Sequence, residues 1–204
     1  MDELLKNGFI PIQHMGKQTE VVDTRIMVDE DAAIKLFITA KEKLLQVNQW
    51  HLLCGFLSPA FQLSDSSGNI AEKFPDVGDY IRINIPGPGT KAGRGYDWVK
   101  IERLTHIHID NHQELFFMQV RPASYPKAND EAIAHFFKNT ATSSFMIVRE
   151  LSQITAAIYG RNEVANTETE NEIDNIRNAV IANSGAIGLS TMQWKSLVSA
   201  LVND

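Results

Sequence analysis

The chain has 204 residues, 44% of them hydrophobic, 22% charged and 8% aromatic, the make-up of a globular chain and not of a disordered or fibrous one. At ~150 residues per domain, one domain over 1–204 is expected. Its 19 basic and 25 acidic residues leave a net charge of −6, so no positive field draws it to phosphate backbones or anionic membranes, and nucleic-acid binding is not expected.

The lone Cys54 cannot close an intrachain disulfide or by itself supply a zinc site, and it lies in Leu52-Leu53-Cys54-Gly55-Phe56, an apolar setting that hides a thiol. The opening MDELLKNGFIPIQ lacks the basic region and apolar stretch of a signal peptide. No apolar run approaches the ~20 residues that cross a bilayer. A cytoplasmic protein without a membrane span is the expectation.

Residues 1–19 read as an N-terminal extension in which Phe9, Ile10 and Ile12 around Pro11 suggest an extended segment against the sheet edge. Glu20 to Val28 is rich in β-branched residues and reads as a strand. Asp29-Glu30-Asp31 then suit the start of a helix, and Ala33, Leu36, Phe37, Ala40, Leu44 and Val47 fall at three- and four-residue steps within a helix near 30–47. After Trp50 the period becomes two. A stretch near Gly55 to Leu63 is followed by alternating runs around Ile81 to Ile85, Val99 to Ile109, Phe116 to Val120, Phe145 to Arg149 and Ile154 to Arg161. Short turns at Asp110 to Gln113 and Glu150 to Ser152 join neighbours as antiparallel hairpins.

Asn129 or Asp130 can cap a short helix near 130–138 carrying Ile133, Phe136 and Phe137. Residues 168–204 read as a C-terminal helical segment with two capping boxes, Thr169-x-x-Glu172 and Ser190-x-x-Gln193. One apolar stripe holds Ile173, Ile176, Val180 and Ile181, and the other holds Trp194, Leu197, Val198, Leu201 and Val202. Gly185 and Gly188 break the helix between them, or face a close neighbour within one long helix.

The order strand, Asp29-Glu30 helix start, Trp50, six further strands and terminal helix resembles the helix-grip superfamily (SRPBCC), which includes START lipid-transfer domains, the birch-pollen-allergen group and polyketide cyclases. The resemblance runs from Glu20 onward. It implies an α+β fold in which a curved seven-stranded antiparallel sheet packs around a C-terminal helix, with a cavity for an apolar small molecule between them. It carries no catalytic residue onto this chain.

Three stretches bear on chemistry. His106-Ile107-His108-Ile109-Asp110-Asn111-His112 looks like the HxHxDH string of metallo-β-lactamase-type hydrolases, but Asn111 is inserted before the last His. Strand alternation with Ile107 and Ile109 inward would turn His106 and His108 to solvent, so no metal site is expected. Pro86 to Gly95 satisfies G-x-G-x-x-A, yet no helix follows to receive a pyrophosphate, and a connector loop is expected. Its alternative is a flap whose Lys91 and Arg94 close over an anionic group, beside Trp98 on the next strand. Tyr159 and Arg161 share a strand face and would reach the cavity if that face is the inner one. The expected ligand-binding set is therefore Tyr159, Arg161, Trp98, Lys91 and Arg94. Neither a catalytic residue nor a cofactor is indicated, and turnover and homo-oligomerisation stay open. A ligand binder should keep an apolar hollow between sheet and helix, whereas an interaction module should fill it.

Overall fold

β-branched residues carry β1 over Lys17–Ile26, and Asp29 then turns the chain into α1, Glu30–Leu45, by accepting the Ala32 N–H on its carboxylate at 2.8 Å. The computed structural model describes residues 8–54, 59–183 and 186–203. A 3-10 turn at Val47–Gln49 and the short α2, Trp50–Cys54, follow α1. The strands are β2 (Ala60–Ser64), β3 (Tyr80–Asn84), β4 (Asp97–His108), β5 (Gln113–Pro122), β6 (Thr142–Glu150) and β7 (Gln153–Glu163). The chain closes with α3, Glu172–Asn183, and α4, Ala186–Val202. Among the described residues, seven strands form one curved antiparallel sheet in the order β1-β7-β6-β5-β4-β3-β2.

One face of this sheet carries the helices. Ala33, Leu36, Phe37, Ala40 and Leu44 of α1 and Leu197, Val198, Leu201 and Val202 of α4 are buried against Val99, Ile101, Met118, Phe145 and Ile147. The expected C-terminal helix on a curved sheet is therefore present, and its stripe is the expected one. Lys43 Nζ and Arg25 donate to the Ala200 and Val202 carbonyls, placing positive charge at the negative end of α4. On the outer face Leu115, Phe117, Met146 and Val148 form a second cluster covered by Phe9 and Ile10. The N-terminal segment thus lies across the outer face and not the sheet edge, while Ile12 is exposed. Its register comes from Asn162, whose amide oxygen accepts the His14 N–H at 2.7 Å and whose amide nitrogen donates to the Ile12 carbonyl at 3.0 Å.

Several expectations are corrected. Residues 130–138 are not a helix: backbone bonds run from Trp98 N–H to Ala134 O, Lys138 N–H to Val164 O and Asn166 N–H to Phe136 O. One turn of helix pays a nucleation cost for a single hydrogen bond, and these long-range partners satisfy the same groups in an extended chain. The cap of α3 is Asn171, which accepts the Ile173 and Asp174 N–H groups, because Thr169 is engaged with Asn175. The stripe on α3 is inverted except at the half-buried Ile181. Ile173, Ile176 and Val180 are 72%, 67% and 57% exposed, whereas Asp174, Arg177 and Asn178 are buried. Polar bonds hold this helix: Asp174 accepts the Lys91 N–H and Asn178 donates to Asn166 O. Ser190 lies inside α4 and does not begin it. Gly188 is also helical, while Gly185 and the first part of the Gly55 to Leu63 strand lie outside the described residues. Among the described residues no helix is long and apolar enough to cross a membrane.

Candidate functional site

A cavity of about 200 Å³ opens where β3, the start of β4 and the ends of β5 and β7 meet the helices. Ile81, Ile83, Val99 and Val120 supply its strand wall. Trp50, Phe61, Phe145 and Trp194 interlock beside them, with ring centroids 5.2–6.5 Å apart, and Trp50 Nε1 donates to Leu44 O at 2.9 Å. The third side is the extended run His135-Phe136-Phe137, whose consecutive rings lie 4.3 and 4.5 Å apart.

Few polar groups interrupt this apolar lining. Gln193 of α4 is 6% exposed and its Nε2 has no hydrogen-bond partner among the described residues, a condition that costs about 1–3 kcal/mol unless something else accepts from it. Burial, with help from the nearby Arg177 charge, pushes the His135 imidazole down to about 3. The ring is therefore neutral, and since its Nδ1 accepts the Phe137 N–H at 3.0 Å the proton resides on Nε2. Glu163 reaches the cavity through an irregularity in β7: Lys17 pairs with Glu163 but Thr19 with Gly160, and Asn162 takes φ +56° between them. Burial pushes the Glu163 carboxyl up, against the Thr19 hydroxyl that donates to it at 3.0 Å. Gly160 makes room for that carboxylate, since a Cβ there would lie 2.0 Å from Glu163 Oε1.

None of the five residues expected to bind ligand lines this hollow; Trp98 and Arg94 meet at Tyr125 and Tyr159 meets Arg161, on strands that are not neighbours. Tyr159 and Arg161 do share a face, with the guanidinium 5.3 Å from the ring centroid, but it is the outer one, because Ile154, Ala156 and Ile158 take the inner positions. Arg161 donates to the Thr19 and Gly160 carbonyls. Trp98 is buried on the outer side of β4, where Nε1 donates to Gly93 O at 3.1 Å and the ring meets Tyr125. Lys91 and Arg94 project to solvent from the 86–95 loop. That loop is anchored at both ends: Thr90 Oγ1 donates to Tyr96 O, and Arg177 Nε donates to Pro88 O at 2.6 Å. Gly89 is required there, as its Cβ would meet Gly95 O at 1.9 Å.

His106 and His108 are exposed, as expected, but on the other face of the sheet. Ile101 pairs with Val120 and Arg103 with Gln119, so Glu102 is an extra residue that reverses the alternation of β4. Ile107 therefore joins Leu115 on the outer face, and His106 lies on the helix-bearing face with its ring stacked 5.5 Å from Phe37.

No protein-family model matches the chain, and no curated protein matches it. Solved structures similar in course include a protein from Arthrobacter aurescens at 11% identity, covering 90% of this chain and 85% of that one with TM-score 0.39. A truncated norcoclaurine synthase from Thalictrum flavum is 10% identical over 95% of this chain and 99% of that one, with TM-score 0.38. A major latex-like protein from Panax ginseng is 10% identical over 82% and 93%, with TM-score 0.29.

Proposed function

We propose that the chain is a single-domain, helix-grip-type protein of the cytoplasm that binds one small, largely apolar molecule bearing a hydrogen-bond acceptor in the cavity between sheet and helices. The observation that carries this reading is the buried Gln193 Nε2, without a partner among the described residues, in a lining built mostly from aliphatic and aromatic side chains. A carbonyl or ether oxygen on the ligand would remove the cost of that orphan donor. Size limits the ligand further. An apolar hollow of about 150 Å³ holds benzene, so one of about 200 Å³ suits a ring with a short substituent. Glu163 and His135 also border it, no reaction is assigned to them, and the reading is binding.

Calorimetric titration with acetophenone and with ethylbenzene tests it. Acetophenone should bind the more tightly, and the difference should vanish in Gln193→Leu. Val120→Phe, which places a ring in the hollow, should weaken acetophenone binding at least about tenfold while the overpacking costs only about 1–3 kcal/mol of stability. Equal affinity for the two probes in the native chain, or undiminished binding to folded Val120→Phe, would contradict the proposal.

A further inference from the structure

At the end of β4 and β5 remote from the cavity, the reversed alternation of β4 sets His106 opposite Phe116 and His108 opposite Glu114 on one face. From Val99 at the cavity to His106 is seven residues of strand, roughly 20 Å. His106 Nε2 lies 3.1 Å and His108 Nδ1 3.4 Å from Glu114 Oε2, and one ligand atom from each of the three residues lies within 4.8 Å of the others. A tetrahedral zinc ion with bonds of about 2.0–2.1 Å sets its ligand atoms roughly 3.3–3.4 Å apart. We propose that His106, His108 and Glu114 form a binding site for one divalent transition-metal ion of the zinc class.

The surroundings are those of a built site. Glu114 is buried, and its other oxygen, Oε1, accepts from Arg149 Nε at 2.8 Å. Arg149 is itself buried and donates to the His112 and Asn111 carbonyls at 3.0 and 3.2 Å, so the carboxylate is held with Oε2 toward the imidazoles. Phe37 on one side and Phe116 at the edge fix the His106 ring. The side chain of His108 is 70% exposed, which leaves the remaining coordination positions to water or an incoming ligand. Two imidazoles and one carboxylate favour zinc, nickel, cobalt or copper over calcium and magnesium.

The participation of Glu114 separates this site from a surface His-x-His pair that captures metal by itself. Zinc chloride titrated into the intact protein should bind at one equivalent, and cobalt should give the visible bands of a four- or five-coordinate ion. His108→Ala should lower zinc affinity at least about tenfold, and Glu114→Gln about 10- to 100-fold. His51→Ala, elsewhere on the surface, should change nothing. Because Glu114→Gln also strips Arg149 of its partner, Glu114→Asp provides a variant that keeps the charge and draws back the ligand oxygen. It should lose at least about tenfold in affinity while its melting temperature shows it folded. Absence of stoichiometric binding would overturn the proposal, as would binding unchanged by His108→Ala or by both Glu114 variants.

Discussion

Arg177→Met should cost the protein about 3–5 kcal/mol of stability, the usual penalty for leaving a buried charge without its partner. Asp97 opens β4 at 0% exposed and is met by both terminal nitrogens of Arg177, while its Oδ1 also accepts the Phe136 N–H at 3.0 Å. Burial pushes the Asp97 carboxyl up against the opposing pull of that guanidinium. Arg177 Nε reaches Pro88 O at 2.6 Å, so one side chain joins α3, the 86–95 loop, β4 and the extended run beside the cavity. In a chain of 204 residues a loss of this size lowers the melting temperature by about 10 °C. Circular dichroism should show that drop, and adding Asp97→Asn should recover much of it, since removing both charges leaves no orphan. A drop of one or two degrees would mean that α3 is held by something other than this pair.

Acid should destabilise the protein well before its carboxylates protonate. His135 has an unfolded value near 6.5 and a folded value of about 3. The unfolded chain therefore takes up the proton first, and stability is fully present above pH 6.5 and falls as the pH drops toward 3. For a shift of that size the full loss is about 5 kcal/mol. Glu163 works with the opposite sign, because its raised folded value makes the native state the better proton acceptor there. The native chain must therefore be compared with His135→Asn, which removes the titration and keeps an acceptor for the Phe137 N–H. Urea unfolding from pH 7 to pH 4.5 should show a gap between the two that narrows steadily as the pH falls. A gap independent of pH would place His135 in contact with water.

The outline of the fold was legible because its signals are local. Asp29 caps α1, the apolar steps from Ala33 to Leu44 are buried, and the two-residue turn at Leu151-Ser152 joins β6 to β7 as a hairpin. What the sequence hid depends on single extra residues. The bulge at Glu102 turns His106 and His108 to the helix side, and the irregularity near Asn162 brings Glu163 into the cavity while Arg161 stays outside. A period of two passes through either point without a trace, so every residue beyond it is assigned to the wrong face. The run His135-Phe136-Phe137 was concealed for another reason. Its extended form rests on hydrogen bonds to Trp98, Val164 and Asn166, all distant along the chain, whereas Asp130 offers a plausible local cap. The inverted α3 follows the same logic, with Arg177 buried only because Asp97 waits for it. Gln193 read as half of a capping box, and as one of several polar residues in α4 it carried no local mark of burial.

Native mass spectrometry of the protein taken from its own cells, released without denaturant, asks most directly whether the space walled by Trp50, Val120 and Trp194 is a working site. The expected spectrum shows the chain carrying one small organic molecule that denaturation sets free, and the bare chain alone for Val120→Phe purified alongside it. The bare mass in both preparations would contradict it.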